Sequence, residues 1–207
     1  MDENVANTKT NLISAKATLE LSINGFDLLD KKRNVLIMSM MGFIDKAEEV
    51  QNRVTVVFKE AYKALKTANI TMGIANVEQI SESVPEIQDF NILVKSIMGV
   101  EIPEIQHEKH DIEHYYSFYH TNTALDVAFK EFQEVKELLF ELSEIEDSVY
   151  KLAMEVKRTQ KRANALQNIQ IPKYKGIVKS ITEVLEEKER EDFFRLKVVK
   201  KKRENKS

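Results

Sequence analysis

The sequence predicts an all-α protein, a long antiparallel two-helix coiled coil with a small central insert that has room for a short β-hairpin. Three observations carry this expectation. The 207 residues include only 5 Gly and 3 Pro while 31% are charged, a balance that favours long uninterrupted helices over a loop-rich globule. Apolar residues recur in alternating steps of four and three near both ends, the 3.5-residue repeat that holds one stripe of a helix against a partner. Charge divides the chain as well: net +3 over 9–68, −7 over 69–120 and +3 over 121–207. The ends resemble each other and the middle differs. The expected divisions are an N-terminal arm over 9–68, an acidic insert over 69–120, a C-terminal arm over 121–200 and a basic tail over 201–207.

In the first arm the four-three count runs through Leu19, Ile23, Phe26, Asp30, Arg33, Ile37, Met40, Ile44, Ala47, Gln51, Val54, Phe58, Ala61 and Leu65, and eleven of these fourteen positions are apolar. Asp30, Arg33 and Gln51 are its polar members, and Asp30 and Arg33 are expected to pair and fix register, as polar seam residues do in coiled coils. Gly42 is the internal weak point of the arm.

The acidic insert follows. Turn formers and irregular spacing in GIANVEQISESVPEIQDF give way to NILVKSIMGVEIPEI, two β-like segments around Gly99 with Pro103 suited to an edge strand. This insert is expected to cap the far end of the paired arms.

The second arm carries its seam in Leu125, Ala128, Phe132, Val135, Leu139 and Leu142, then Ile145, Val149, Leu152, Val156, Thr159, Ala163, Leu166 and Gln170, resuming with Ile177, Ile181 and Val184. Two arms of similar length can bury their seams against each other, with both termini at one end; 60 residues of helix would reach about 90 Å. Pro172 interrupts this arm where the seam weakens at Gln170, with Gly176 close behind. A proline within a helix removes a hydrogen bond and costs about 3 kcal/mol, so the helix is expected to bend or unwind locally there.

Several function classes are disfavoured. Cysteine is absent, which excludes disulfides, a thiol nucleophile and thiolate metal sites. The N-terminus lacks the basic and apolar regions of a signal peptide, and NVLIMSMMGFI is too short to span a bilayer. There is no phosphate-cradling glycine loop and no GxSxG, so no catalytic site, cofactor site or metal site is assigned. His107, His110, His114 and His120 lie close together and three of them share a helical spacing, but solvated loop histidines are the commoner case. Tyr115, Tyr116, Phe118 and Tyr119 form either a protein-binding patch or the local core that seats the insert. The C-terminal KVVKKKRENKS complements a helix macrodipole; the arms otherwise mix both signs, which argues against nucleic acid as a partner. Lys157, Arg158, Lys161 and Arg162 recur at i, i+1, i+4 and i+5, one helical face that suits acidic loops of a partner.

The motifs at the two ends resemble those of the D subunit of the V-type and A-type rotary ATPases. At the N-terminus the matching positions are Leu12, Lys16, Gly25, Leu28, Leu29, Lys32 and Arg33. At the C-terminus they are Thr159, Arg162, Asn164, Ala165 and Leu166, then Ile171 and Pro172, then Glu189, Arg190, Glu191, Phe193, Phe194, Arg195, Leu196 and Lys197. Ala163 and Gln167 depart from the family pattern, where Val and Glu stand. YYSFYHTNTALD is similar to the family's segment before the second arm. The matching blocks span about residues 9 to 200 in the right order. The resemblance implies a non-catalytic rotor shaft inside a hexamer of A and B subunits. It further implies pairing with the F subunit and seating on the subunit that joins the stalk to the membrane ring. No direct membrane insertion is implied; the chain would lie on the cytoplasmic side in the soluble sector of the complex. A coiled-coil scaffold binding partners through the tyrosine-rich insert is the alternative.

Overall fold

The computed structural model describes residues 6–84, 90–107, 116–117 and 121–204. Its elements are α1 (Lys9–Met72), α2 (Ile74–Ser81), β1 (Phe90–Ile97), β2 (Val100–His107), α3 (Thr123–Ala165) and α4 (Ile171–Glu204), with a π turn over Leu166–Gln170 between the last two helices. The fold class is as expected: long helices with one small two-stranded antiparallel sheet.

Local chemistry sets the element ends. Thr8 caps α1, its hydroxyl accepting the Asn11 amide at 3.3 Å and its carbonyl the Leu12 amide at 3.0 Å. The helix stops at Gly73, whose φ of +83° a side chain would resist. In the hairpin, Ile97 pairs with Val100 across a two-residue turn at Met98 and Gly99, both with positive φ, the turn geometry whose twist matches that of paired strands. Pro103 stands opposite Val94, and the Ile105 amide donates to Glu144 Oε2 on α3 at 2.8 Å. The outward edge of β2 is thus closed by a residue with no donor and by a carboxylate.

The chain divides into two compact units, residues 35–156 and residues 1–34 with 157–207. In the first, Leu36 of α1, Leu152 of α3 and Val100 and Ile102 of β2 form one buried cluster, with Met40, Phe43, Ile97 and Val156 against it. Ala68, Val77, Tyr116 and Leu125 form a second, with Leu65, Met72, Ile80, Ala124 and Phe129. The insert therefore does more than cap the end of α1: α2 and Tyr116 pack near Met72, while the hairpin packs back at Leu36. In the second unit, Ala15, Ser22, Thr159, Ala163 and Ile181 are buried.

The seam of α3 matches the expected count at Leu125, Ala128, Val135, Ile145, Leu152, Thr159 and Ala163, all buried; Leu138 replaces Leu139, which is 43% exposed. In α1 eleven of the fourteen expected seam positions are partly or fully buried, and Ile23, Ile44 and Gln51 are exposed. The row through Phe26, Arg33, Met40, Ala47, Val54 and Ala61 is partly or fully buried. Its companion row is Ala15, Ser22, Leu36 and Val50, whereas Ile23 and Ile44 are each 38% exposed. Both flanking rows are largely apolar, so this helix has a broad apolar stripe, and packing rather than composition chooses its centre line.

Candidate interaction surface

Arg33 on α1 joins the two terminal motif blocks. Its Nη2 pairs with Asp30 Oδ1 at 2.7 Å and donates to Asn34 Oδ1 at 3.1 Å, and its Nη1 donates to Gln160 Oε1 on α3 at 2.7 Å. Gln160 Nε2 then donates to Asn164 Oδ1 at 2.7 Å. The Asp30–Arg33 pair forms along one helix; the bond between helices is Arg33 to Gln160, a partner that heptad spacing alone does not indicate. A second meeting of the blocks lies at Gly25, where a Cβ would stand 3.6 Å from Leu166 Cδ1. That separation is an ordinary van der Waals contact, so Leu166 lies beside α1 at Gly25 with room for a methyl group between them.

Lys157, Arg158, Lys161, Arg162 and Asn164 are all exposed. They are held outward because Thr159 and Ala163, each 1% exposed, occupy the neighbouring inward positions of α3. The basic surface is longer than these four cations. From 156 to 182 the chain has no acidic residue, and Lys173, Lys175 and Lys179 continue the positive sign past Pro172. The signal in the sequence is missing carboxylates, which a search for basic clusters passes over. In α4 the mixed pattern returns, with exposed pairs such as Lys179–Glu183 and Arg195–Glu191; pairs of this kind contribute little to stability.

Pro172 is exposed in the first turn of α4. Just before it, the Ile171 amide donates to Leu166 O, five residues back rather than four. The missing proline donor therefore falls where the ladder has already opened by one residue, and α4 continues to Glu204. Its last turns leave Phe193, Phe194 and Leu196 exposed at 70%, 68% and 68%, while nearer the start of α1 Lys9 pairs with Glu189 at 2.9 Å.

Tyr116 belongs to the core. It is 8% exposed, its hydroxyl donates to Asp126 Oδ1 at 2.7 Å, and its ring meets Phe129 edge-on at 6.0 Å. Burial, then the bond to Asp126, raises its pKa well above the usual phenol range. Burial likewise lowers that of Lys136, which lies 5.9 Å from the Phe140 ring centroid. Tyr115, Phe118, Tyr119, His110, His114 and His120 lie outside the described residues, as does the side chain of His107. Among the described residues no helix is long and apolar enough to cross a membrane, and no group of three or more His, Asp or Glu side chains is arranged to hold a metal ion.

Comparison with known proteins places these features in a family context. Residues 11–201 match the family model that describes the ATP synthase D subunit. The V-type ATP synthase D subunit of Thermotoga neapolitana is 45% identical over 198 residues, covering 96% of this chain and 98% of that one. The A-type ATP synthase D subunit of Pyrococcus abyssi is 36% identical, covering 93% and 92%, and that of Methanobrevibacter smithii is 38% identical, covering 93% and 85%.

Proposed function

The chain belongs to the family of the ATP synthase D subunit, and on that premise we propose that it is the central rotor shaft of a V-type or A-type ATPase. It turns within a hexamer of A and B subunits and carries torque between nucleotide chemistry on those subunits and ion translocation by the membrane ring. The F subunit binds alongside it, and the subunit that joins the stalk to the ring seats it, on the cytoplasmic side. Its own contribution is mechanical rather than catalytic.

The observation that carries this reading is the meeting of the two motif blocks, Arg33 with Gln160 and Gly25 with Leu166, within one unit that holds both chain ends. A shaft needs its two strands locked in register, and a hydrogen bond between helices at a half-buried seam position supplies this. It also needs a face that a surrounding ring can read. Lys157, Arg158, Lys161 and Arg162, with Asn164 held beside them by Gln160, form that face and approach acidic loops of the hexamer. Pro172 is placed to bend the C-terminal arm within the ring.

The test is to mix the full chain with A and B subunits, with and without the F subunit, and to follow complex size and ATP hydrolysis. One copy per hexamer with altered hydrolysis is expected. Charge reversal at Lys157 and Lys161 together is expected to weaken assembly, and to do so less at high salt, where the wild-type contact is screened too. A chain that stays folded but free in the presence of the hexamer refutes the rotor role.

A further inference from the structure

Within the unit formed by residues 1–34 and 157–207, the inward positions of α3 step through Thr159, Ala163 and Leu166. Continuing that four-three count brings Gln170, Lys173, Ile177, Ser180 and Val184 inward, a set with only two apolar members. The helix does something else. Ile171, Tyr174, Val178, Ile181 and Leu185 form the partly or fully buried series, one residue later at every step, with Ile177 and Val184 half-buried beside it, while Gln170, Lys173 and Ser180 are exposed. All five of the observed set are apolar or aromatic.

The π turn lies between the two counts. A turn closed by a bond five residues back holds one residue more than an α turn, so it advances the numbering by one without rotating the helix that follows. We propose that Leu166–Gln170 is a one-residue phase shifter, held by Pro172, that keeps the two out-of-step halves of the C-terminal arm on a single seam against α1.

Pro172 contributes by opposing the alternative. If this turn closed to α, the Ile171 amide would bond Gln167 O, and the ring of Pro172 would press on the carbonyl of Asn168. In the π turn Ile171 donates to Leu166 O instead, and the ring meets a ladder already widened. Two features thus select the same register: five apolar residues against two, and a proline that disfavours closure. On the rotor reading this matters under load, since slipping by one residue would turn the downstream helix by about 100°. The register itself is a property of the free chain and does not depend on that reading.

The natural sequence has no cysteine, so single thiols report on the inward face without background. In the full chain, Ser180→Cys is expected to react with a maleimide on the order of 100-fold faster than Ile181→Cys, with Val178→Cys and Lys179→Cys as a second inward and outward pair in case Ile181→Cys is poorly folded. The decisive variant is deletion of Asn168 in a Pro172→Ala background. The turn should then close to α with the inward set unchanged, so the thiol at 181 stays protected and Tm stays within a few degrees of the Pro172→Ala parent. Deletion of Lys161 in the same background is the contrast, because it shifts the count by one before the π turn and should lower Tm sharply. If the Asn168 deletion exposes the thiol at 181, or destabilises the chain as much as the Lys161 deletion does, the phase-shift assignment is wrong. Binding to the A and B hexamer enters neither readout, so failure here is distinct from failure of the rotor reading.

Discussion

Leu36→Ala is the most informative single change in the insert-bearing unit. Leu36 and Leu152 are each fully buried, one on either long helix, with Val100 and Ile102 of the hairpin completing the cluster. Truncating either leucine removes an isopropyl group at a site with no solvent access and leaves a cavity that two helices and a sheet can only partly close. Each loss should therefore lie in the upper range for buried leucines, about 3–5 kcal/mol, a large share of the roughly 5–15 kcal/mol that holds an ordinary domain folded. Because the two side chains line one space, the double variant should cost less than the sum, by about 1 kcal/mol or more. Leu139→Ala, at a position 43% exposed, should cost under about 1 kcal/mol. Urea unfolding followed by helical circular dichroism measures all four chains. Single losses near the Leu139 value, or a strictly additive double variant, would show that the hairpin is not clamped between the helices through these residues.

Three further outcomes follow from named contacts. Tyr116 is held neutral by burial and by Asp126, so its raised pKa stabilises the fold below the unfolded phenol value near 10 and that share is lost as pH climbs above it, by at most about 1.4 kcal/mol per pH unit. The stability difference between wild type and Tyr116→Phe should be flat from about pH 7 to 9 and fall by about pH 11; a difference that does not change with pH refutes this. Glu144→Ala removes the acceptor of the Ile105 amide and should speed its hydrogen exchange on the order of 10-fold, with Glu144→Gln intermediate; unchanged exchange would mean that the bond contributes nothing to holding β2. A double-mutant cycle of Arg33→Leu and Gln160→Leu should give a coupling of about 0.5–1.5 kcal/mol from the bond between helices, and zero coupling would refute a register role for that bond, leaving Arg33 its contacts with Asp30 and Asn34 along α1.

How much of the fold was legible differs between the two long helices for a physical reason. On α3 the rows beside the seam carry charge: Glu146, Lys157, Arg158 and Lys161 leave one apolar line, and the count finds it. On α1 two adjacent rows are both apolar, Ile23, Ile37 and Ile44 on one side and Leu29, Leu36, Phe43 and Val50 on the other, so the pattern marks a broad face and not its centre. The hairpin was legible from Gly99 and Pro103, because a two-residue turn with positive φ and a missing donor are local requirements. Its docking site was not. The alternation of Val100 and Ile102 about Glu101 marks one buried face of the strand, but nothing in NILVKSIMGVEIPEI states that this face meets Leu36.

The same limit governs the candidate surface, and it shows where sequence reading has more to extract. The outward face at Lys157, Arg158, Lys161 and Arg162 follows from helical spacing, but the Arg33–Gln160 bond joins residues 127 positions apart, and no local window holds both. The π turn falls between these cases. Its signature is local, a mismatch between the count ending at Leu166 and the one that includes Ile181, yet it is visible only if the count is carried through Pro172 rather than restarted after it. A proline in a heptad helix invites a restart, because a break or bend is the usual consequence. When the apolar residues on its far side fit a seam offset by one, an inserted residue is the simpler account, and the proline then marks where the insertion is absorbed.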